Sequence, residues 1–218
     1  MSDARVKVFS IFSSIQGEST RAGRPCSFVR LAGCPLGCSY CDTREASESE
    51  GVEMQIDEIV ERLRALGLSL VEVTGGEPLA QERCPELLER LVEEGFEVLL
   101  ETSGAFPIRG LDPAVSLVMD IKTPGSGMSD RLVEENLEHL VPGRDEVKLV
   151  VTSRGDFEWA LGLCSERSLS DRAEVLLSPA AGRVRPAELA EWLLESRREL
   201  RMQIQLHRAI WPEDGEGR

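Results

Sequence analysis

The chain has 218 residues, of which 41% are apolar and 29% charged, the size and make-up of one medium-sized globular domain and not of a disordered or fibrous chain. Lys and Arg number 25 against 39 Asp and Glu, a net charge of -14, which argues against nucleic acid or another polyphosphate held by bulk electrostatics. Residues 1–44 run against that trend with six basic groups and three acidic ones, and so point to a small anionic ligand or an acidic docking partner.

No apolar run approaches the roughly eighteen residues of a membrane span. The opening MSDARVKVFSIFSSIQ is too polar, with too short an apolar stretch, for a secretory signal, so a cytoplasmic location without a membrane partner is expected. The first predicted strand is Ser27–Leu31, and a loop holding Cys34, Cys38 and Cys41 follows it. The acidic stretch Glu45–Glu53 reads as a solvated loop. Ile56, Ile59, Val60 and Leu63 recur at helical spacing and end near Gly67; Leu87, Leu88, Leu91 and Val92 do the same and end at Gly95. Between and after them lie the strands Leu70–Val73, which runs into TGGEP (Thr74–Pro78), and Val98–Glu101, which runs into TSG. Ser116–Ile121 comes next and ends in MDIKTP (Met119–Pro124), and then Val147–Val151. Phe157, Ala160, Leu161 and Cys164 mark a further helix, placing Cys164 on a core-facing stripe. Val175–Leu177 is a strand, Leu189, Trp192 and Leu193 lie on a helix behind Pro186, and Met202–Leu206 closes the series as a last strand.

This alternation is the pattern of βα units around a parallel sheet. A complete eightfold barrel takes about 250 residues, so the expected fold is α/β, a partial (open) βα barrel of about six parallel strands. The chain reads as one domain over 1–218, with an N-terminal segment 1–26 ahead of the first strand and an acidic tail at 213–218. Ligands of such folds sit at the C-terminal ends of the strands.

The six cysteines divide into a cluster and three scattered residues. Clustered cysteines in a chain without a secretory signal are metal ligands or catalytic groups. Cys34, Cys38 and Cys41, at CxxxCxxC spacing, can wrap one iron–sulfur cube with one iron each, whereas an electron-transfer cluster normally takes four cysteines. The fourth iron is then open to an outside ligand. A zinc module or a non-catalytic electron carrier is the alternative; zinc would have to be completed by the distant His139 or His207. Cys26, Cys84 and Cys164 are assigned to packing. Gly75 and Gly76 allow a close backbone approach, and Glu77 places a carboxylate where a ligand ammonium can be held, or else stands as a solvated turn residue. Asp120 and Lys122 either meet a ligand or pair with each other at the rim.

CxxxCxxC after the first strand, with Tyr40 before the last cysteine, resembles the radical S-adenosylmethionine (SAM) superfamily. The resemblance implies a [4Fe-4S] cluster on Cys34, Cys38 and Cys41 whose open iron chelates SAM and yields a deoxyadenosyl radical. It further implies SAM contacts from Tyr40, Cys41, Asp42, Gly75, Gly76, Glu77, Gly104, Asp120 and Lys122. FSSIQGEST (Phe12–Thr20) followed by GRPCSFVRLAGCPLGCSYCDT (Gly23–Thr43) is similar, more narrowly, to the 7-carboxy-7-deazaguanine synthases of queuosine and 7-deazapurine biosynthesis, and TGGEP, ETSG, DIKTP and QLHR (Gln205–Arg208) extend that likeness. It implies a lyase that contracts the ring of 6-carboxy-5,6,7,8-tetrahydropterin with loss of ammonia. The implied substrate residues are Ile15, Gln16, Gly17, Glu18, Arg30 and Thr102, with Arg30 as the planar fork for a carboxylate. Thr43 resembles the family's Mg²⁺ ligand. A flavodoxin- or ferredoxin-type reductant and a homodimer are implied as well. The rival within the superfamily is an activase that places a glycyl radical on a protein partner.

Overall fold

A computed structural model describes residues 4–211; the tail expected at 213–218 lies outside the described residues. In chain order the elements are β1 (Arg5–Ile15), β2 (Pro25–Leu31), α1 (Arg44–Glu48), β3 (Val52–Gln55), α2 (Ile56–Leu66) and β4 (Leu70–Gly75). Then come α3 (Cys84–Glu93), β5 (Glu97–Thr102), β6 (Ser116–Ile121), β7 (Glu146–Val151), α4 (Arg154–Glu166), β8 (Glu174–Pro179), α5 (Pro186–Ser196), β9 (Arg201–Met202) and α6 (Leu206–Ile210). The strands form one sheet in the order β3-β1-β2-β4-β5-β6-β7-β8-β9. From β2 to β9 every pairing is parallel, while β1 pairs antiparallel with both β2 and β3. The sheet is open, with β3 at one edge and β9 at the other.

The six inner parallel strands stand where the apolar runs place them. Three parts of the chain differ from the sequence reading. β1 is an eleven-residue strand that the reading did not assign. Its alternation is visible only over Val6 and Val8, which are buried between the exposed Arg5, Lys7 and Phe9. The stretch Glu45–Glu53 is not one solvated loop: it holds most of α1, whose Ala46 is buried, and the start of β3. β3 is short, with an exposed Glu53, which suits an edge strand; it pairs with β1 through Val8–Val52 and Arg5–Gln55, a non-local contact that composition does not signal. Met202–Leu206 is not a strand throughout. Only Arg201–Met202 pairs with β8, and Leu206 opens α6.

One face of the sheet is covered by helices. Val29, Leu31, Val71, Val73, Leu100, Met119, Leu149 and Leu177 point there and meet Ile59 and Leu63 of α2, Leu88 and Leu91 of α3, Phe157 and Ala160 of α4 and Leu189 of α5. Cys84 and Cys164 lie in this core, and burial lifts the Cys164 thiol to about 11. α2 stops at Gly67, whose φ of 74° lets its N–H turn back to the carbonyls of Leu63 and Arg64. α5 opens on Pro186 behind a reciprocal pairing of Arg185 and Glu188. The opposite face differs because strand alternation turns Phe28, Arg30, Glu72, Thr74, Glu101, Asp120 and Lys148 toward it. Its apolar part is small: Phe28 stacks on Phe12 at 5.1 Å between ring centroids, beside Cys26 and Leu70.

Phe157 is fully buried and its ring meets Trp192 at a centroid distance of 5.9 Å. Phe157→Ala is expected to cost about 3 to 5 kcal/mol, the transfer free energy of the ring plus the cavity it leaves, read as a lower urea midpoint at an unchanged denaturant slope.

Candidate active site

β2 ends at Leu31 and the chain turns into the cysteine loop. Gly33 N donates to Ala46 O at 2.8 Å and Cys34 N to Ser47 O at 3.1 Å, which pins the start of the loop to α1. Its middle leans on the segment after β6, where Ser39 N donates to Ser126 O at 3.0 Å and Ser39 Oγ to Gly125 O at 2.7 Å. Asp156, buried at the start of α4, holds that segment through Gly125 N at 2.8 Å and Thr123 Oγ1 at 3.1 Å. Cys34, Cys38 and Cys41 are half-buried free thiols. Burial pushes the Cys34 and Cys38 thiols up, and the charges of the three bear on one another. Cys41 Sγ lies 3.9 Å from the hydroxyl of Thr43 and 3.5 Å from that of Ser47.

The TGGEP turn packs directly on this loop. A Cβ on Gly75 would stand 2.1 Å from Leu31 O, and one on Gly76 would stand 2.0 Å from Gly33 O. Gly76 N and Glu77 N instead donate to those two carbonyls, each at 3.0 Å. The glycines therefore serve a backbone-to-backbone contact within the protein. Glu77 is buried and accepts from Thr102 Oγ1 at 2.8 Å, Ser103 N at 2.8 Å, Leu79 N at 3.0 Å and the Ser103 hydroxyl. Those four bonds occupy the acceptor capacity of a carboxylate. Thr102 thus spends its hydroxyl on Glu77. Gly104, at a φ of 72°, closes the same turn beside Met119 and Leu132.

Below the rim the inner face carries a charged network. Lys148 Nζ lies 2.9 Å from Glu18 and 3.3 Å from Asp120, and donates a short hydrogen bond to Glu101. Lys122 Nζ pairs with Asp120 at 2.9 Å and stands 5.9 Å from the centre of the Tyr40 ring. Thr74 donates to Glu101 at 3.0 Å, and Gln16 donates to the buried Glu72. Burial pulls the Lys148 ammonium down, but Asp120, Glu101 and Glu18 outweigh it and carry the group well above the ordinary lysine range. Asp120 and Glu101 are held below the usual carboxylate range by their cations despite burial. Glu72 goes the other way: burial, reinforced by Glu101 and Glu18, lifts it well above that range. Arg30 shares this face with Phe28; its guanidinium lies 5.7 Å from the centre of the Phe12 ring, and among the described residues it has no carboxylate partner.

The N- and C-terminal segments wall the open side. Arg21 ties the first residues of β5, β6 and β7, reaching Glu97 at 3.1 Å, Ser116 at 2.8 Å and Glu146 at 3.1 Å. Ser19 N donates to Gln203 at 2.8 Å, Leu206 N to Gly17 O at 2.9 Å, and Gln205 to Asp42 at 2.8 Å. The His207 ring packs so close to Gly17 that a Cβ there would lie 2.2 Å from Nδ1. Gly17, Ser19 and Asp42 are thereby joined by a strap, Gln203–Leu206, which the sequence reading takes as the end of a last strand and part of the QLHR likeness. Lys148, Glu101 and Glu72 were missed. The available signal was a charged residue inside an apolar strand, in VEV, LLET and EVKLV, where burial forces a partner.

The residues fit the cluster and SAM. Three half-buried thiols on one loop give a cubane one thiolate for each of three irons. Tyr40 Oη and Asp120 Oδ1 are buried polar atoms with no partner, the kind of group that a polar ligand satisfies. Thr43 offers a hydroxyl beside the last cysteine, a donor that Mg²⁺ accepts.

Comparison with known proteins agrees with this geometry. A family model described as the Radical SAM superfamily matches residues 29–123. The 7-carboxy-7-deazaguanine synthase of Chlorobaculum tepidum is 44% identical over 99% of this chain and 98% of its own length. That of Koribacter versatilis is 38% identical over 97% of this chain and 100% of its own. Among solved structures, QueE from Escherichia coli superposes with a TM-score of 0.74 at 23% identity, covering 93% of this chain and 95% of that one, which shows the fold.

The Glu72 proton gives a stability test. The native state holds it more tightly than the unfolded chain does, so stability falls as pH rises from the ordinary glutamate value toward the native one. Glu72→Gln removes this dependence and keeps an acceptor for Gln16. The urea midpoint of the variant should gain on the parent as pH rises above the ordinary glutamate value; parallel curves would contradict a raised Glu72 carboxyl.

Proposed function

The chain belongs to the 7-carboxy-7-deazaguanine synthase family, and we infer that it is a radical SAM lyase. Its reaction is the ring contraction of 6-carboxy-5,6,7,8-tetrahydropterin to 7-carboxy-7-deazaguanine with loss of ammonia. The observation that carries this reading is the likeness to the Chlorobaculum tepidum synthase over 99% of the chain. The activase alternative has no support among these relatives.

Cys34, Cys38 and Cys41 would hold the [4Fe-4S] cluster, and Tyr40, Asp42, Gly75, Gly76, Glu77, Gly104, Asp120 and Lys122 would surround SAM. Together the two groups supply a deoxyadenosyl radical when bound. Within this chain, Tyr40 and Asp120 offer partnerless buried oxygens, whereas Gly75, Gly76 and Glu77 support the site by holding the cysteine loop in place. Ile15, Gln16, Gly17, Glu18, Arg30 and Thr102 form the substrate side. Arg30 is the cation left free for a carboxylate, since Lys148 and Lys122 are already paired. Thr43 would take Mg²⁺. The strap from Gln203 to Arg208 keeps the Gly17 turn and Asp42 together and helps exclude water, which a reactive radical requires.

The reading extends to one functional unit over 1–218, a flavodoxin- or ferredoxin-type reductant, a homodimer and a cytoplasmic location. No helix among the described residues is long and apolar enough to cross a membrane.

Anaerobic reconstitution followed by product analysis with the carboxytetrahydropterin tests the activity directly: ammonia and the deazaguanine product are expected. Cys34→Ala, Cys38→Ala or Cys41→Ala should abolish iron binding, while Cys84→Ala and Cys164→Ala should keep it. A stoichiometric zinc content would overturn the cluster assignment.

Arg30→Ala removes the cation for the substrate carboxylate and is expected to weaken pterin binding by at least about a hundredfold. SAM binding should stay nearly constant, and Arg30→Lys should recover part of the loss because an ammonium lacks the bidentate fork. Unaltered pterin affinity in the Ala variant would place the pocket elsewhere.

A further inference from the structure

A lysine in the middle of a parallel strand is expensive to bury, and a well-packed apolar residue would serve stability at least as well. Lys148 nevertheless sits at the third position of β7 with its side chain 6% exposed. In the ladder it stands beside Asp120 of β6, and from there it reaches Glu101 of β5 and Glu18 of the β1–β2 loop. No other side chain among the described residues bridges the substrate-side segment and the cofactor-side strand tip in this way. We propose that Lys148 is the positioning residue that holds Glu18 and Asp120 in one frame, so that the substrate carboxylate-and-amine pocket is registered against the SAM site. The inference rests on the functional reading above.

The three carboxylates depend on Lys148 unequally. Asp120 keeps Lys122 at 2.9 Å, and Glu101 keeps the Thr74 hydroxyl at 3.0 Å. Glu18 has Lys148 as its one ion-pair partner among the described residues; its own backbone N–H is held by Gln16 at 2.6 Å. Without the ammonium, Glu18 is left facing the charges of Glu101, Asp42 and Glu72. It would then protonate or swing away from the pocket. Loss of Lys148 therefore falls on the substrate side and spares the cofactor side, a split that a merely structural residue would not produce.

The test uses reconstituted enzyme carrying Lys148→Met, alone and with Glu18→Gln. Three quantities are read: iron content with thermal midpoint, SAM affinity from the change in the cluster's electron paramagnetic resonance, and dissociation constant for 6-carboxytetrahydropterin. Lys148→Met should weaken pterin binding by about tenfold or more and SAM binding by less than about threefold. On top of Glu18→Gln it should add less than about threefold, because the two residues act as a pair. If the Met variant does not fold, Lys148→Gln carries the same expectation, since it keeps a donor without the charge. Equal losses of both affinities, unchanged pterin affinity in a folded variant, or additive losses in the double variant would each overturn the proposal. A parent enzyme that binds SAM but not the pterin would instead sink the functional reading, and the proposal with it.

Discussion

The parallel register of β2 against β4 is the constraint on which the site depends. The two strands pair from Ser27–Val71 to Leu31–Gly75, and the contact continues past their ends, where Gly76 and Glu77 donate to Leu31 and Gly33. Only residues without a side chain permit this approach. The cysteine loop thereby inherits the rigidity of the sheet, and Glu77 passes the tie on to β5 through Thr102 and Ser103. A site that must hold reacting groups to fractions of an ångström is better served by such elements than by a free loop.

The two faces of the sheet answer different physical demands. A parallel sheet is ordinarily apolar on both faces, and the helix-covered face follows that rule. The other face buries Glu72, Asp120 and Lys148, with Glu101 half-buried beside them, each of which would be costly alone. The pairing of Lys148 with Glu101 and Asp120 offsets their desolvation, while burial, reinforced by Glu101 and Glu18, lifts the Glu72 carboxyl well above the usual range. Arg30 makes no ion pair among the described residues, although its charge bears on Asp42 and Glu72.

The two ends of the chain meet across the open side of the sheet. Ser19 bonds Gln203, and Gly17 bonds Leu206, so the segment before β2 is fixed by residues nearly the whole chain away. Arg21 meanwhile anchors that segment to the first residues of three strands.

The sequence by itself determined the βα order, the helix-covered core and the cluster of three cysteines. Those features are written in local periodicity and spacing, which every window of the chain carries. Phe28 and Arg30 on one face follow from strand alternation in the same way. The tertiary structure alone decided the rest. β1 and β3 exist as partners of each other, and β3 draws its stability from pairing and not from its acidic composition. Glu77, read from its motif as a ligand contact, finds three of its four donors in Thr102 and Ser103 at the end of β5. Lys148, Glu101, Glu72 and Gln203 became part of the site only when strands distant in sequence were brought side by side. A buried charge has no meaning until its partner is placed, and partners 47 or 130 residues away are placed by the fold.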